Sequence, residues 1–236
     1  MSSPLRRLLD RVKRRHPALY WRTRNAGALA AWYADRARPA SESPYDDRFW
    51  NGAEVGDWDG FARAILHHFP VRSVLDVGCG GGRLLEALRT ADPTLRLKGV
   101  DASAPALERA RRRGLDVQPL DLVRLRAGDV ASAAQALGDF DLVVCLEVAE
   151  HFPAWHAPKL LELLTHFPRI VFSAAHPLQG GVLHVNEQPA EYWIRRFAER
   201  GFPLSARDGE LRADVAALDL PPWYAANIHA FARIVA

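Results

Sequence analysis

The segment Val74-Leu75-Asp76-Val77-Gly78-Cys79-Gly80-Gly81-Gly82-Arg83-Leu84-Leu85 decides the fold. An apolar strand runs into a glycine turn that opens a helix, reading D-x-G-x-G-x-G from Asp76. Glycine accepts a positive φ and lets a ligand lie against the backbone, while free N–H groups at the helix start favour a polar or anionic group. A dinucleotide turn of the G-x-G-x-x-G type needs its third glycine where Arg83 stands; here the glycines alternate at 78, 80 and 82. The spacing therefore speaks for a cofactor turn and against a nicotinamide-dependent oxidoreductase. A purely structural strand-to-helix turn is the plainer alternative.

Working outward, apolar runs and helical periodicity alternate. They predict a helix over 61–69, strands at 71–77, 95–100, 115–120, 140–146 and 169–173, helices at 82–91, 104–113, 130–137, 155–166 and 190–200, and two short final strands. This is the rhythm of a parallel sheet covered on both faces, and Leu142-Val143-Val144-Cys145-Leu146, apolar without alternation, suits a central strand. In such sheets ligands bind beyond the carboxyl ends of the strands. Asp101 ends the second strand about twenty residues past the turn, where a carboxylate can accept both ribose hydroxyl hydrogens. Ser103 and Pro105 are set to cap and start the next helix.

The alternating glycines with Asp76, followed by Asp101 and Asp121, resemble motif I and the succeeding strand ends of the class I S-adenosylmethionine-dependent methyltransferases. The resemblance runs through about residues 45–236 in element order. It implies an α/β, doubly wound, Rossmann-like sheet of seven mostly parallel strands, with an antiparallel last strand near Asn227–Val235. It also implies S-adenosylmethionine as cofactor, held by Asp76, Gly78, Cys79, Gly80, Gly82, Asp101, Ala102, Asp121, Leu122 and Leu146, with Asp121 near the adenine amino group.

After the fourth strand comes Glu147-Val148-Ala149-Glu150-His151. If the chain turns helical there, Glu147, Glu150 and His151 share one face. A carboxylate leaving an apolar strand is costly to bury unless paired or bound to a cation, so a solvated surface explains Glu147 poorly. Backbone N–H groups, a divalent ion, or a metal-free site with His151 as general base are the open solutions, and Glu147 and His151 are the candidate catalytic pair. E-x-x-E-H is similar to the metal site of ubiquinone-biosynthesis O-methyltransferases and small-RNA 2′-O-methyltransferases. That resemblance implies a metal set of Glu147, Glu150, His151 and, after the fifth strand, His176, suited to Mg²⁺, Mn²⁺, Fe²⁺ or Zn²⁺. The long connection from His176 to Pro189 reads as a substrate lid, with His184, Asn186 and Glu187, and Tyr192 on the next helix, as acceptor contacts. Trp223 and Tyr224 are further candidates for an aromatic wall.

The 236 residues suffice for one large α/β domain, residues 45–236, preceded by a basic helical extension over 1–44. Residues 1–38 hold ten Lys or Arg against Asp10 and Asp35, which leaves the remainder net acidic. A solvated basic helix explains this run; contact with nucleic acid or an anionic surface is the alternative. Leu5, Leu8, Leu9 and Val12 recur at helical spacing, and Leu19, Tyr20, Trp21, Trp32 and Tyr33 add aromatic and apolar cover. The two cysteines, Cys79 and Cys145, form no disulfide framework or paired zinc motif. No run is long enough to span a bilayer and the start lacks a secretory core, so a soluble, cytoplasmic protein is expected. The expected activity is methyl transfer to a small-molecule oxygen, with an RNA 2′-O-methyltransferase, a metal-free N- or carboxyl methyltransferase and a noncatalytic cofactor-binding scaffold as rivals.

Overall fold

The computed structural model describes residues 17–37, 45 and 47–234. The basic run before Pro17, with Leu5, Leu8, Leu9 and Val12, lies outside the described residues, as do 38–44, Val235 and the side chains of Leu19, Tyr20 and Trp21. Three helices come first: α1 (Pro17–Arg36), α2 (Asp47–Ala53) and α3 (Trp58–His68). The alternating unit follows as β1 (Ser73–Val77), α4 (Arg83–Ala91), β2 (Arg96–Asp101), α5 (Ala104–Arg112), β3 (Val117–Pro119), α6 (Val130–Leu137), β4 (Leu142–Leu146), α7 (Ala157–Leu164), β5 (Arg169–Ser173), α8 (Ala190–Ala198), α9 (Asp208–Ala216), α10 (Pro222–Asn227) and β6 (His229–Ala232). Asp57 caps α3 by accepting from the Gly60 amide at 2.7 Å, and Ser103 caps α5 through the Ala106 amide, with Pro105 in the first turn, as the sequence predicts.

The sheet runs β3-β2-β1-β4-β5-β6, parallel except for the antiparallel β5–β6 pair. Alternate residues of each central strand face opposite helical layers. Leu75, Val143, Cys145, Ile170 and Phe172 pack with residues of α6, α7 and α8. Val74, Leu142, Val144 and Val171 pack with residues of α3, α4, α9 and α10. Burial on both faces explains why these strands read as continuous apolar runs.

Six strands, not seven, form among the described residues. The expected additional strand shrinks to one antiparallel bridge from Leu204 to Phe231, flanked by Ser205 N–H donating to Ala230 O and Ala232 N–H donating to Pro203 O. Pro203 has no N–H with which to lengthen the ladder. Helices α9 and α10 were not foreseen. Of α9, Leu211 and Val215 are the buried apolar residues, a thin stripe for periodicity to detect, and α10 is six residues long behind Pro221.

Crossovers change direction between β1 and β4, so the crevice at their carboxyl ends is where a ligand is expected. The glycine turn, Asp101, Asp121 and Glu147–His151 all emerge there.

Candidate functional site

A cavity of about 930 Å³ opens at this end of the sheet. That is the upper end of the ~300–1,000 Å³ typical of small-molecule sites, enough for a nucleoside cofactor and part of a second molecule.

The glycine turn forms its floor. Gly78 and Gly80 have φ of 79° and 52°, and a Cβ on Gly78 would drive into the Val148 side chain, while one on Gly80 would lie 2.5 Å from the Trp50 ring. Both need glycine on two counts, backbone and space. Gly82 also has a positive φ, but its bare face meets Leu115 and Ala110, so it packs the turn against α5 instead of lining the cavity. Of the other expected cofactor residues, Asp76, Cys79, Asp101, Ala102, Asp121, Leu122 and Leu146 line the cavity.

Asp101 does two jobs. Its Oδ2 accepts from the Gly80 amide at 2.9 Å and its Oδ1 from the Ser103 amide at 2.7 Å, so it pins the turn and leaves one lone pair per oxygen for a diol. Asp121 accepts from the Val123 amide and from Arg36 Nη2 at 2.6 Å, which ties α1 across the end expected to hold adenine. Lys159 donates to the carbonyls of Leu122, Val123 and Leu125 and fixes the same segment from below.

Asp76 is buried, and desolvation reinforced by the Asp101 charge pushes its pKa up to about 7. In the unfolded chain an Asp ionises near 3.9. The native state thus keeps a proton that the unfolded state has released, so this stabilisation is full below about pH 4 and is lost by about pH 7, at ~1.4 kcal/mol per unit. Asp76→Asn is expected to flatten the decline in stability over that range. Denaturant titrations at successive pH values check this, and an unchanged slope would place the proton on another group.

The reactive end departs from the expected arrangement. Glu147 does not begin a helix: its φ is 53°, and only Ala149–His151 form a short 3₁₀ turn. Its carboxylate is held by side-chain amides, Gln179 Nε2 at 2.8 Å on Oε2 and Asn227 Nδ2 at 3.0 Å on Oε1. Burial raises the Glu147 pKa, and these amides offset part of the rise. His176 stands apart from the expected metal set, its neighbours being His229, Glu191 and Arg212.

The structure instead brings together Glu150, His151 and His184, with one ligand atom from each within 4.8 Å of the others. Glu150 is 0% exposed, and neither carboxylate oxygen has a well-formed hydrogen bond. Burial and the Glu147 charge push its pKa well up, and the amides of Glu150 and Ala175 lie near enough to offset only part of this. The His151 ring lies edge-on to that of His184, centroids 4.9 Å apart. His151 Nδ1 meets the Tyr45 hydroxyl at 3.1 Å, and its backbone carbonyl accepts from Trp32 Nε1 at 2.9 Å. Burial and the nearby His184 lower its pKa to about 3, so it is neutral at physiological pH.

The lid segment is fastened down. Val185 and Asn186 amides donate to Glu150 O, and Gln188 N–H donates to Ala175 O. Asn186 is buried with its Nδ2 on Ala149 O, and Glu187 is buried within the loop, so neither faces an acceptor. Tyr192 lies against Trp193 and Arg196, away from the cavity. Trp223 and Tyr224 do line it, joined by Trp32, Tyr45, Phe49 and Trp50 from the N-terminal segments. Tyr45, Trp50 and Asn227 were missed in the sequence: each lies far along the chain from the motifs, and no periodicity marks it.

Residues 75–171 match the family model described as a methyltransferase domain. The chain is 40% identical over 91 residues to a ubiquinone biosynthesis O-methyltransferase of Albidiferax ferrireducens, covering 38% of this chain and 35% of that one. It is 31% identical over 125 residues to a small RNA 2′-O-methyltransferase of Rattus norvegicus, covering 50% of this chain and 30% of that one. The chain thus spans about a third of the length of the curated relatives it matches. A sugar N-methyltransferase from a Streptoalloteichus species shares the fold, with a TM-score of 0.56 at 18% identity over 80% of this chain and 92% of that one. Residues 75–171 thus match a methyltransferase domain, and the glycine turn and sheet order are those expected from the resemblance to the class I, S-adenosylmethionine-dependent type. Among the described residues no helix is long and apolar enough to cross a membrane.

Proposed function

We propose that the protein transfers the methyl group of S-adenosylmethionine to a hydroxyl oxygen of a small acceptor, which enters the aromatic end of the cavity beside Glu150, His151 and His184. The S–CH₃ bond breaks as the O–CH₃ bond forms, the sulfonium becomes a neutral thioether, and the hydroxyl proton must leave. Two relatives whose names state O-methylation support oxygen as the acceptor atom. The chain's contribution is to align acceptor, methyl and sulfur and to exclude water, with Asp101 and the glycine turn holding the nucleoside and Trp32, Tyr45, Trp223 and Tyr224 walling the acceptor.

The observation that carries the proposal is the Glu150 carboxylate, fully buried without a well-formed hydrogen bond. An uncompensated buried carboxylate costs several kcal/mol, and a cation is the partner that removes that cost. Glu150, His151 and His184 would hold a divalent ion, and two imidazoles with one carboxylate suit Mn²⁺, Fe²⁺ or Zn²⁺ better than Mg²⁺. When bound, the ion would lower the pKa of the acceptor hydroxyl. The low pKa of His151 fits a neutral ligand better than a general base, which works best with a pKa near the operating pH. In a metal-free reaction Glu150, its pKa raised by burial, is the better base.

Chelation separates these. Treatment with a chelator, verified by elemental analysis, is expected to abolish turnover of a hydroxyl acceptor while leaving S-adenosylhomocysteine affinity unchanged by calorimetry. Full activity in metal-free protein would remove the ion and leave Glu150 as the base. The RNA reading is separated by affinity: RNA binding that falls steeply with salt would favour it over a small acceptor.

A further inference from the structure

We infer that Glu187 is a positioning residue for His184, fixing its tautomer and aiming Nε2 at Glu150. The inference rests on the acceptor-end reading proposed above. The Glu187 side chain is 1% exposed. Its Oε2 accepts from the Leu178 amide at 2.9 Å, and its Oε1 accepts from the Gly180 amide at 2.8 Å and lies 3.1 Å from His184 Nδ1. Both oxygens already accept from backbone amides, which makes the carboxylate an acceptor and assigns the N–H of the imidazole to Nδ1. The lone pair is then on Nε2, which sits 4.0 Å from Glu150 Oε1.

The ring is confined from the other side as well. A Cβ on Gly181 would run into the His184 imidazole, so only glycine lets the loop close on it. The backbone is strained where it does so: Leu178 and Leu183 have φ of 79° and 54°, in the left-handed region that L side chains rarely adopt. The Glu187 bonds to Leu178 and Gly180 hold this closure. One buried carboxylate thus shapes the loop and orients the one site imidazole that comes from it, a pairing that in metal sites fixes ring orientation and raises ligand basicity.

Nuclear magnetic resonance of ¹⁵N-histidine-labelled, metal-free protein in mildly alkaline solution reads the tautomer directly, with His184→Gln assigning the signal. The expected result is a protonated Nδ1 and an unprotonated Nε2 in the wild type. A wild-type His184 protonated at Nε2 overturns the inference, whatever the variants do. Glu187→Gln, which keeps shape and one acceptor oxygen, is expected to shift His184 toward the Nε2–H form. It should also weaken Mn²⁺ binding about 10- to 100-fold, with S-adenosylhomocysteine affinity retained. An unchanged tautomer in that variant also overturns the inference. If the wild type binds no Mn²⁺ and the tautomer still shifts in the variant, the positioning role stands and the metal reading falls.

Discussion

Glu150→Gln is expected to lower kcat/KM for methyl transfer by about 100- to 1,000-fold, ~3–4 kcal/mol of transition-state stabilisation, and to make the chelated protein more stable than the wild type. The two effects share one cause. In the folded chain this carboxylate is fully buried without a well-formed hydrogen bond, so it destabilises the metal-free fold by its desolvation, and a neutral amide of the same shape relieves most of that cost. The same carboxyl, once ionised, is what would bind a cation or take a proton from the acceptor, so removing it removes the chemistry under either mechanism. Thermal unfolding with and without Mn²⁺ checks the coupling: the ion should stabilise the wild type and leave the variant unmoved. A variant that is both less stable and fully active would show that Glu150 is an ordinary core residue.

Asp101→Asn should weaken binding of S-adenosylmethionine and S-adenosylhomocysteine by roughly 30- to 150-fold, about 2–3 kcal/mol. Each carboxylate oxygen already accepts a backbone N–H, from Gly80 or Ser103, and has capacity for one ribose hydroxyl. Burial raises the Asp101 pKa, and the Ser103, Gly80 and Ala102 amides offset part of the rise. An asparagine replaces one acceptor oxygen with a donor, so one backbone bond and one ribose contact fail together. Isothermal calorimetry measures the loss; wild-type affinity in a correctly folded variant would remove Asp101 from the cofactor site.

The half of the cavity proposed for the cofactor was legible in the sequence because its determinants are local. Asp76, Gly78 and Gly80 lie within five residues, and the requirement for glycine is written in the backbone they must adopt. Asp101 follows from the length of one crossover, and β1, β4 and β5 from apolar runs that two-sided burial makes continuous. Element boundaries shifted by up to three residues, the helix expected over 61–69 spanning Trp58–His68.

The reactive half was legible only as an inventory. Glu150 and His151 were marked by their spacing, but the partner histidine was placed at His176, beside the strand end, whereas the loop carries His184 to them. Helical spacing misled at Glu147, because a left-handed residue at the strand exit turns its carboxylate toward Asn227 and Gln179. Glu187 and Asn186 looked like acceptor contacts because they are polar and close together in the chain, yet both are buried as fasteners of the loop.

The sequence by itself determined the doubly wound sheet, the glycine turn and the carboxylates at its strand ends, since these depend on period, length and backbone freedom among near neighbours. Tertiary structure alone decided which side chains meet at the reactive end. Tyr45, Trp32, His184 and Asn227 come from segments up to 195 positions apart, and their convergence on His151, Glu150 and Glu147 depends on how α1, the lid and α10 pack over the sheet. Contacts of that range leave no periodic trace in a single chain, because each fixes only where two packed surfaces touch.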